Sequence, residues 1–411
     1  MDPLLALVLL LVAGLLALRL RVVAAAISAW PRELDGLAAL CAGAVLGPGI
    51  GVLDHPTLSR LQPLALLAVG WAGAAAGAGC DPRLWRRVPA VAWTPFGVET
   101  VATAGLVGAG AWAAARLVPG IGGAWVPRLP AVALLASVAA VSGPEARSLL
   151  RRLARGRGEG VRARARVLER LARLETGAGT LLLVVSGFFL RARPATRVGT
   201  VRELLLLMAA PAGLLLYVLL RRLPAASRGF ALVAALLFGG GLGAAAGVSP
   251  FASSALAGAL WVQFQPGHEV RALLESWERP MTWLLWLWCG AELTGPGVLL
   301  GAGALIALVR MATRWGALRS SLKASPGTGW PPDAALGTVA QGRVALGAGL
   351  GFVLGTRGAL GEIGSEGVLT TIVLGVVVAQ AVAPILARRA LGLPLTPGRL
   401  APELSPHSHA D

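Results

Sequence analysis

The residues of this sequence that could do chemistry are charged side chains inside long apolar segments. There are six of them: Glu99, Glu145, Glu175, Glu292, Arg310 and Arg343. A charge at the centre of a bilayer costs about 2.5 to 3.5 kcal/mol on insertion scales, so it usually marks an ion pathway or an internal pair. Glu292 lies near a segment end and could reach the interface. Glu175 lies about two turns inside a segment that stays apolar to residue 190, so we expect it to face a cavity or a buried cation.

Two interruptions of the apolar segments are the second unusual feature. Their sequences are VSGPE at residues 141 to 145 and GTVAQGR at residues 337 to 343. Irregular backbone at membrane depth is tolerated only where it is buried in protein or lines water. Interrupted helices at corresponding positions of two halves indicate the central binding site of a transporter, where half-helix ends supply dipoles for an ion. The same Gly and Pro residues could instead serve close helix packing.

The remaining reactive side chains form no recognisable site in the sequence. The three cysteines, Cys41, Cys80 and Cys289, are far apart, and His407 and His409 lie in a polar tail without neighbouring ligands. A Ser/His/Asp set, a metal-ligand spacing and a phosphate-binding loop are all missing. We therefore expect no enzymatic activity, no cofactor and no metal.

Composition indicates the class of fold that positions these residues. Of the 411 residues 56% are hydrophobic and 14% are charged, whereas soluble domains carry about 25% charged residues. A spanning helix needs about 20 mostly apolar residues. The sequence therefore predicts an all-α integral membrane protein with about thirteen transmembrane helices, at residues 3–18, 36–53, 61–79, 88–115, 129–148, 167–190, 203–220, 229–247, 251–265, 281–294, 297–313, 334–355 and 366–387.

The basic residues predict the orientation in the membrane. The net charge is +17, but the arginines lie between apolar segments rather than in one patch, which argues against a nucleic-acid partner. With the N-terminus outside, the inside loops hold 27 basic residues, Arg314 among them, and the outside loops hold 8. Lys and Arg are enriched in cytoplasmic loops. We predict a multi-pass protein of the cell membrane with a cytoplasmic C-terminus.

Three segments in the right order resemble one family, the monovalent cation:proton antiporters, which include bacterial sodium/proton exchangers and potassium-efflux systems. Residues 42–48, AGAVLGP, resemble the early G-x-x-x-G-P signature of the family. Residues 247–258, GVSPFASSALAG, resemble its G-L-S-P-x-x-G-A-F-x-A-G segment, and residues 340–346, AQGRVAL, resemble its late interrupted helix. The resemblance extends over almost the whole chain.

The resemblance implies two inverted repeats with two crossed, interrupted helices, and a core domain that moves against a dimerisation domain. It places the ion and proton site at Ser142, Gly143, Pro144, Glu145, Glu175 and Thr176. Arg310 falls where the family has a Lys or Arg, with Gln341 and Glu99 as supporting residues. The sequence departs from the family at Thr176, where an aspartate is usual, and at Arg343, where many members have Glu.

These inferences divide the chain into a first half at residues 1–190, a connecting loop at 191–202, a second half at 203–390 and a short tail at 391–411. The leading hypothesis is a homodimeric transporter that exchanges sodium or potassium ions for protons. In it Glu175 replaces the missing aspartate, unless it is only the counter-ion of Arg310 or Arg343. The alternatives are a non-transporting protein on the same scaffold and a carrier of anions that uses Arg310 and Arg343.

Overall fold

Every regular secondary-structure element in the described part of the chain is a helix. The computed structural model describes residues 35–81, 93–117, 128–189, 222–245, 247–263, 267–293, 298–324, 334–356 and 363–394. The first half contains α1 (Asp35–Ala44), α2 (His55–Arg60), α3 (Gln62–Gly77), α4 (Trp93–Leu117), α5 (Arg128–Ala140), α6 (Pro144–Ala154) and α7 (Glu159–Phe189). The second half contains α8 (Ala225–Ala245), α9 (Pro250–Gln263), α10 (Gly267–Ser276), α11 (Glu278–Ala291), α12 (Val298–Ala324), α13 (Gly342–Thr356) and α14 (Ile363–Ala390).

The predicted all-α class is confirmed, and eleven of the thirteen predicted segments overlap described helices, two of them across the interruptions at 141–143 and 339–341. The other two, residues 3–18 and 203–220, lie outside the described residues. Within the described ranges, three helices are long and apolar enough to cross a membrane by length and composition: Phe96–Leu117, Ser227–Ala245 and Glu366–Ala390. Three shorter apolar helices accompany them, at Gly36–Gly49, Gln62–Gly77 and Gly342–Thr356.

Small residues bring two pairs of helices into backbone contact. A Cβ on Gly258 of α9 would overlap the carbonyl oxygen of Ala74 in α3. A Cβ on Gly290 of α11 would likewise overlap the carbonyl oxygen of Leu40 in α1. Lipid is as apolar as a leucine side chain, so close van der Waals contact is a principal source of helix association in a membrane. Because α3 also packs against α11, the two pairs form one unit of α1, α3, α9 and α11, which we call the tightly packed unit.

The two predicted interruptions are real and lie in contact. The first is a non-helical stretch at residues 141–143 between α5 and α6, and the second joins a 3₁₀ turn, Ala334–Thr338, to α13. The amide of Gly143 donates a hydrogen bond of 2.8 Å to the carbonyl oxygen of Ala340. A Cβ on Gly143 would overlap the carbonyl oxygen of Gln341, and Gly342 has a positive φ of +48° that favours glycine. Glycine at these positions therefore permits the crossing.

Changing Gly258 to Ala should destabilise the protein, because the added methyl group meets backbone of α3. Overpacking costs typically about 1 to 3 kcal/mol, so the apparent melting temperature in detergent should fall. The control is Gly105→Ala in α4, where no neighbouring atom lies within 4 Å of the added Cβ. Equal melting temperatures for the two variants would contradict the packing described here.

Candidate functional site

Arg310 of α12 joins the two interruptions through a single buried guanidinium. Its side chain is 1% exposed. The Nε group donates to the carbonyl oxygen of Ala139 at 2.8 Å and Nη2 donates to that of Val141 at 3.0 Å, while Nη1 donates to that of Val339 at 2.6 Å. The last carbonyls of a helix lack intrahelical partners and carry a partial negative charge. Arg310 therefore satisfies and neutralises the carboxyl ends of both broken helices.

The side chains of Gln341 and Glu145 also hold the two interruptions together at the place where they cross. The side-chain amide of Gln341 donates to the carbonyl oxygens of Val138, at 2.6 Å, and Val141, at 3.2 Å. A carboxylate oxygen of Glu145, in the first turn of α6, accepts the backbone N–H of Arg343 at 3.0 Å. This amide belongs to the positive amino end of α13, which favours a negative charge. The crossing thus has a cation at its helix carboxyl ends and an anion at its helix amino ends.

Arg314 lies one turn after Arg310 and pairs with two buried carboxylates. Its guanidinium forms ion pairs with Glu99 of α4 and Glu175 of α7. The three side chains are only 1 to 2% exposed. The Nη1 group of Arg314 also donates to Ser142 Oγ at 3.0 Å and to the carbonyl oxygen of Thr338 at 3.2 Å. We call Glu99, Arg314 and Glu175 the buried triad.

The buried triad corrects two expectations from the sequence. Arg314 was assigned to an inside loop, but α12 continues to Ala324 and buries this residue. Glu175 was expected to face Arg310 or Arg343 if it served as a counter-ion, and its partner is Arg314 instead. The signal in the sequence was the spacing of four between the two arginines, which places both on one helix face.

Glu175 is held by the first interruption and by the second. Ser142 Oγ is hydrogen-bonded to Glu175 Oε2, and Thr338 Oγ1 donates to Glu175 Oε1 at 3.1 Å. Thr176 Oγ1 lies 2.7 Å from the carbonyl oxygen of Ser142 and fastens α7 to the same break. Thr176, at the position where the resemblance implied an aspartate, thus contacts the interruption but brings no charge to it.

The acidic groups of the triad outnumber its cation. Glu99 and Glu175 share Arg314. The donors of Arg310 are directed at carbonyl oxygens, but its charge also acts on both carboxylates from one turn away. Among the described residues, Glu99 Oε2 is a buried oxygen without a hydrogen-bond partner. Leaving a buried acceptor unsatisfied costs roughly 1 to 3 kcal/mol, and more when the group is charged. A proton or a small cation bound at this oxygen would remove that cost.

Arg343 stands apart from the triad although it lies beside the second interruption. Its guanidinium pairs with Glu278 at the start of α11 and lies 5.0 Å above the ring of Trp71 in α3. Its Nε is 3.9 Å from Glu145 Oε1. The structure therefore brings together Ser142, Gly143, Thr176, Glu175, Gln341, Arg310 and Glu99, with Pro144 and Glu145 at the adjoining start of α6. The Arg343 side chain instead contacts the tightly packed unit.

The described helices form a bundle in which two interrupted helices meet. The solved structure of the sodium proton antiporter MjNhaP1 from Methanocaldococcus jannaschii at pH 8 is similar, with a TM-score of 0.60 over 95% of this chain and 100% of that chain. The sequence identity is 17%, so the likeness concerns the fold. No protein-family model matches the sequence, and a comparison with curated proteins gave no match.

Replacing Arg310 with Met should destabilise the crossing, because three buried carbonyl oxygens lose their donors. At roughly 1 kcal/mol or more for each carbonyl, the free energy of unfolding should fall by about 3 kcal/mol or more. The matched control is Arg319→Met on the same helix, where the arginine is exposed and lies over Trp315. Detergent unfolding titrations that gave the same small change for both variants would contradict this role of Arg310.

Proposed function

We propose that this protein exchanges a monovalent cation, sodium or potassium, for protons across a cell membrane by alternating access. The observation that carries the proposal is the buried triad at the contact of two interrupted helices. One carboxylate oxygen of the triad, Glu99 Oε2, has no hydrogen-bond partner among the described residues, so it can take up a proton or contribute to binding a cation. A proton and a metal cation would compete for that place, and such competition is the basis of exchange. The similarity to the fold of a sodium proton antiporter supports the same reading.

Each residue of the site has a role in this proposal. Glu175 supplies carboxylate oxygens to the cation, with Ser142 Oγ, the Thr176 hydroxyl and the carbonyl oxygens of the two breaks as further ligands. These are oxygen donors, which suit alkali and other hard cations. Glu99 offers the second carboxylate, and its Oε2 oxygen is a place for the proton. Arg314 holds both carboxylates in position, while Arg310 and Gln341 maintain the crossing.

Movement would occur between two groups of helices. The first contains the interruptions with α4, α5, α6, α7, α12, α13 and α14, and the second is the tightly packed unit of α1, α3, α9 and α11. The proposed halves at residues 1–190 and 203–390 would each contribute one interruption to the first group. The second group would form the interface of a homodimer, with the N-terminus outside and the tail after residue 390 in the cytoplasm. In this arrangement Arg343 with Glu278 is a contact between the two groups.

A second candidate is a membrane protein that keeps the scaffold without transport. It is favoured because both carboxylate oxygens of Glu175 already have partners, namely Arg314, Ser142 and Thr338. An anion carrier has less support, because the donors of Arg310 are directed at carbonyl oxygens and Arg343 is paired with Glu278.

Glu175→Gln should abolish exchange in everted vesicles tested with sodium, potassium and lithium, because Gln keeps the shape but removes the carboxylate that binds the cation. Glu99→Gln should remove the pH dependence of exchange, because it removes the proposed place for the proton. The control is Glu169→Gln, also on α7, where the glutamate pairs with the exposed Arg151 at 2.7 Å. Glu175→Gln also breaks a buried pair and should lower stability by roughly 3 to 5 kcal/mol, so flux is compared at equal amounts of folded protein. A loss of stability with unchanged flux per folded protein would indicate that the triad is only structural. Wild-type flux that persisted unchanged in Glu175→Gln would exclude Glu175 as the carrier.

The proposed orientation can be tested by labelling a single cysteine. Gly158→Cys, in the exposed turn between α6 and α7, should react with a membrane-impermeant reagent only in everted vesicles. The native cysteines would first be replaced by serine or alanine. Labelling in right-side-out cells would contradict the arginine distribution on which the orientation depends.

A further inference from the structure

Three side chains from distant parts of the chain converge at the end of the bundle opposite the Arg-rich connection between α6 and α7 in the predicted topology. They are His55, the first residue of α2; Glu292, immediately after α11; and Glu366, in the first turn of α14. One potential ligand atom from each lies within 4.8 Å of the other two. Glu292 is 3% exposed, and the other two residues are half-buried. No metal was expected from the sequence, in which Glu292 and Glu366 follow His55 by 237 and 311 positions and form no ligand motif.

The backbone around these side chains is fixed by local hydrogen bonds. Asp54 caps α2 by accepting the amide of Thr57 at 3.0 Å, which sets the position of His55. The backbone amide of Glu292 donates to the carbonyl oxygen of Trp288 at 3.1 Å. The indole N–H of Trp288 donates to Glu292 Oε1 at 3.2 Å. Metal-binding carboxylates and imidazoles commonly have such supporting hydrogen bonds, which orient the ligand atoms.

We propose that His55, Glu292 and Glu366 bind a divalent transition-metal ion of the Zn²⁺ type. One imidazole nitrogen and two carboxylate oxygens form a three-ligand set, which leaves a fourth position for water. Zinc binds such nitrogen and oxygen atoms at about 2.0 to 2.2 Å, which places neighbouring ligand atoms roughly 3.3 to 3.6 Å apart in a tetrahedron. Small side-chain rotations from separations of up to 4.8 Å would close the site. Ca²⁺ and Mg²⁺ prefer oxygen ligands alone, so the histidine selects against them.

The position of the site predicts an effect on movement. Glu292 follows α11, which packs against α1 through Gly290 in the tightly packed unit. Glu366 belongs to α14, which packs against α12 through the close contact of Gly303 with Thr371. A bound ion would therefore link the two groups of helices. If the proposed exchange function holds, Zn²⁺ on the outer side would slow transport by holding these groups together.

The site can be tested by direct binding to the full-length protein in detergent, after treatment with a chelator. Titration with ZnCl₂ should show one site per chain that 1 mM Mg²⁺ or Ca²⁺ does not displace. His55→Ala and Glu366→Gln should each weaken Zn²⁺ binding at least about tenfold, since even supporting residues of metal sites have effects of that size. Unchanged melting temperatures without Zn²⁺ would verify folding, and Glu366→Gln keeps the side-chain shape.

The control is the double change His407→Ala and His409→Ala, which removes two histidines of the tail. Binding should persist in this variant. Loss of binding in the tail variant, failure of wild type to bind, or equal affinity in wild type, His55→Ala and Glu366→Gln would overturn the proposal. Flux measurements with external Zn²⁺ are a separate experiment. Absence of all cation exchange would contradict the proposed function, whereas the binding titration would still decide whether the metal site exists.

Discussion

The bonds from Arg310 to the carbonyl oxygens of both interruptions are the interaction on which the site depends. Two helices that end inside the bundle leave several carbonyl groups without intrahelical partners and bring two negative dipole ends together. In a membrane interior such groups are expensive to leave unpaired. A planar guanidinium with five donors can reach both ends at once, which the single ammonium of lysine does less well. The contact of Gly143 with Ala340 follows from the same arrangement.

A second arginine one turn away gives the site its chemistry. Arg314 draws Glu99 and Glu175 together from α4 and α7, although these residues are far apart in sequence. Separating either carboxylate from the guanidinium would strand a buried charge. Because one guanidinium serves two acids, the triad is held in place, while Glu99 Oε2 stays without a hydrogen-bond partner among the described residues. Thr176 contacts the interruption through its hydroxyl but brings no charge, so the acidic groups of the site come from Glu175 and from Glu99 of α4.

The helical class and both interruptions could be predicted from the sequence, because hydropathy and the placement of Gly and Pro are properties of neighbouring residues. It also indicated that Glu175 and Arg310 would be buried in the protein, since a charge within an apolar segment stands out. Arg314 was missed because the apolar segment ends just before it, and only packing against α4 and α7 keeps the helix buried there. Its pairing with Glu99 spans 215 positions, and no local pattern encodes such a distance. The direction of the Arg343 side chain, over Trp71, is likewise a tertiary contact.

In the proposed function a proton and a cation compete for the buried triad. The most direct measurement is the apparent Kd for sodium and potassium, obtained from cation-dependent thermal stabilisation of the purified protein at several pH values. A ligand that binds only the folded protein raises its stability as concentration exceeds Kd. Competition predicts that the apparent Kd rises as the pH falls, approaching about tenfold per pH unit where the site is mainly protonated. A cation Kd that stayed constant across pH, or the absence of any cation-dependent stabilisation, would contradict the account.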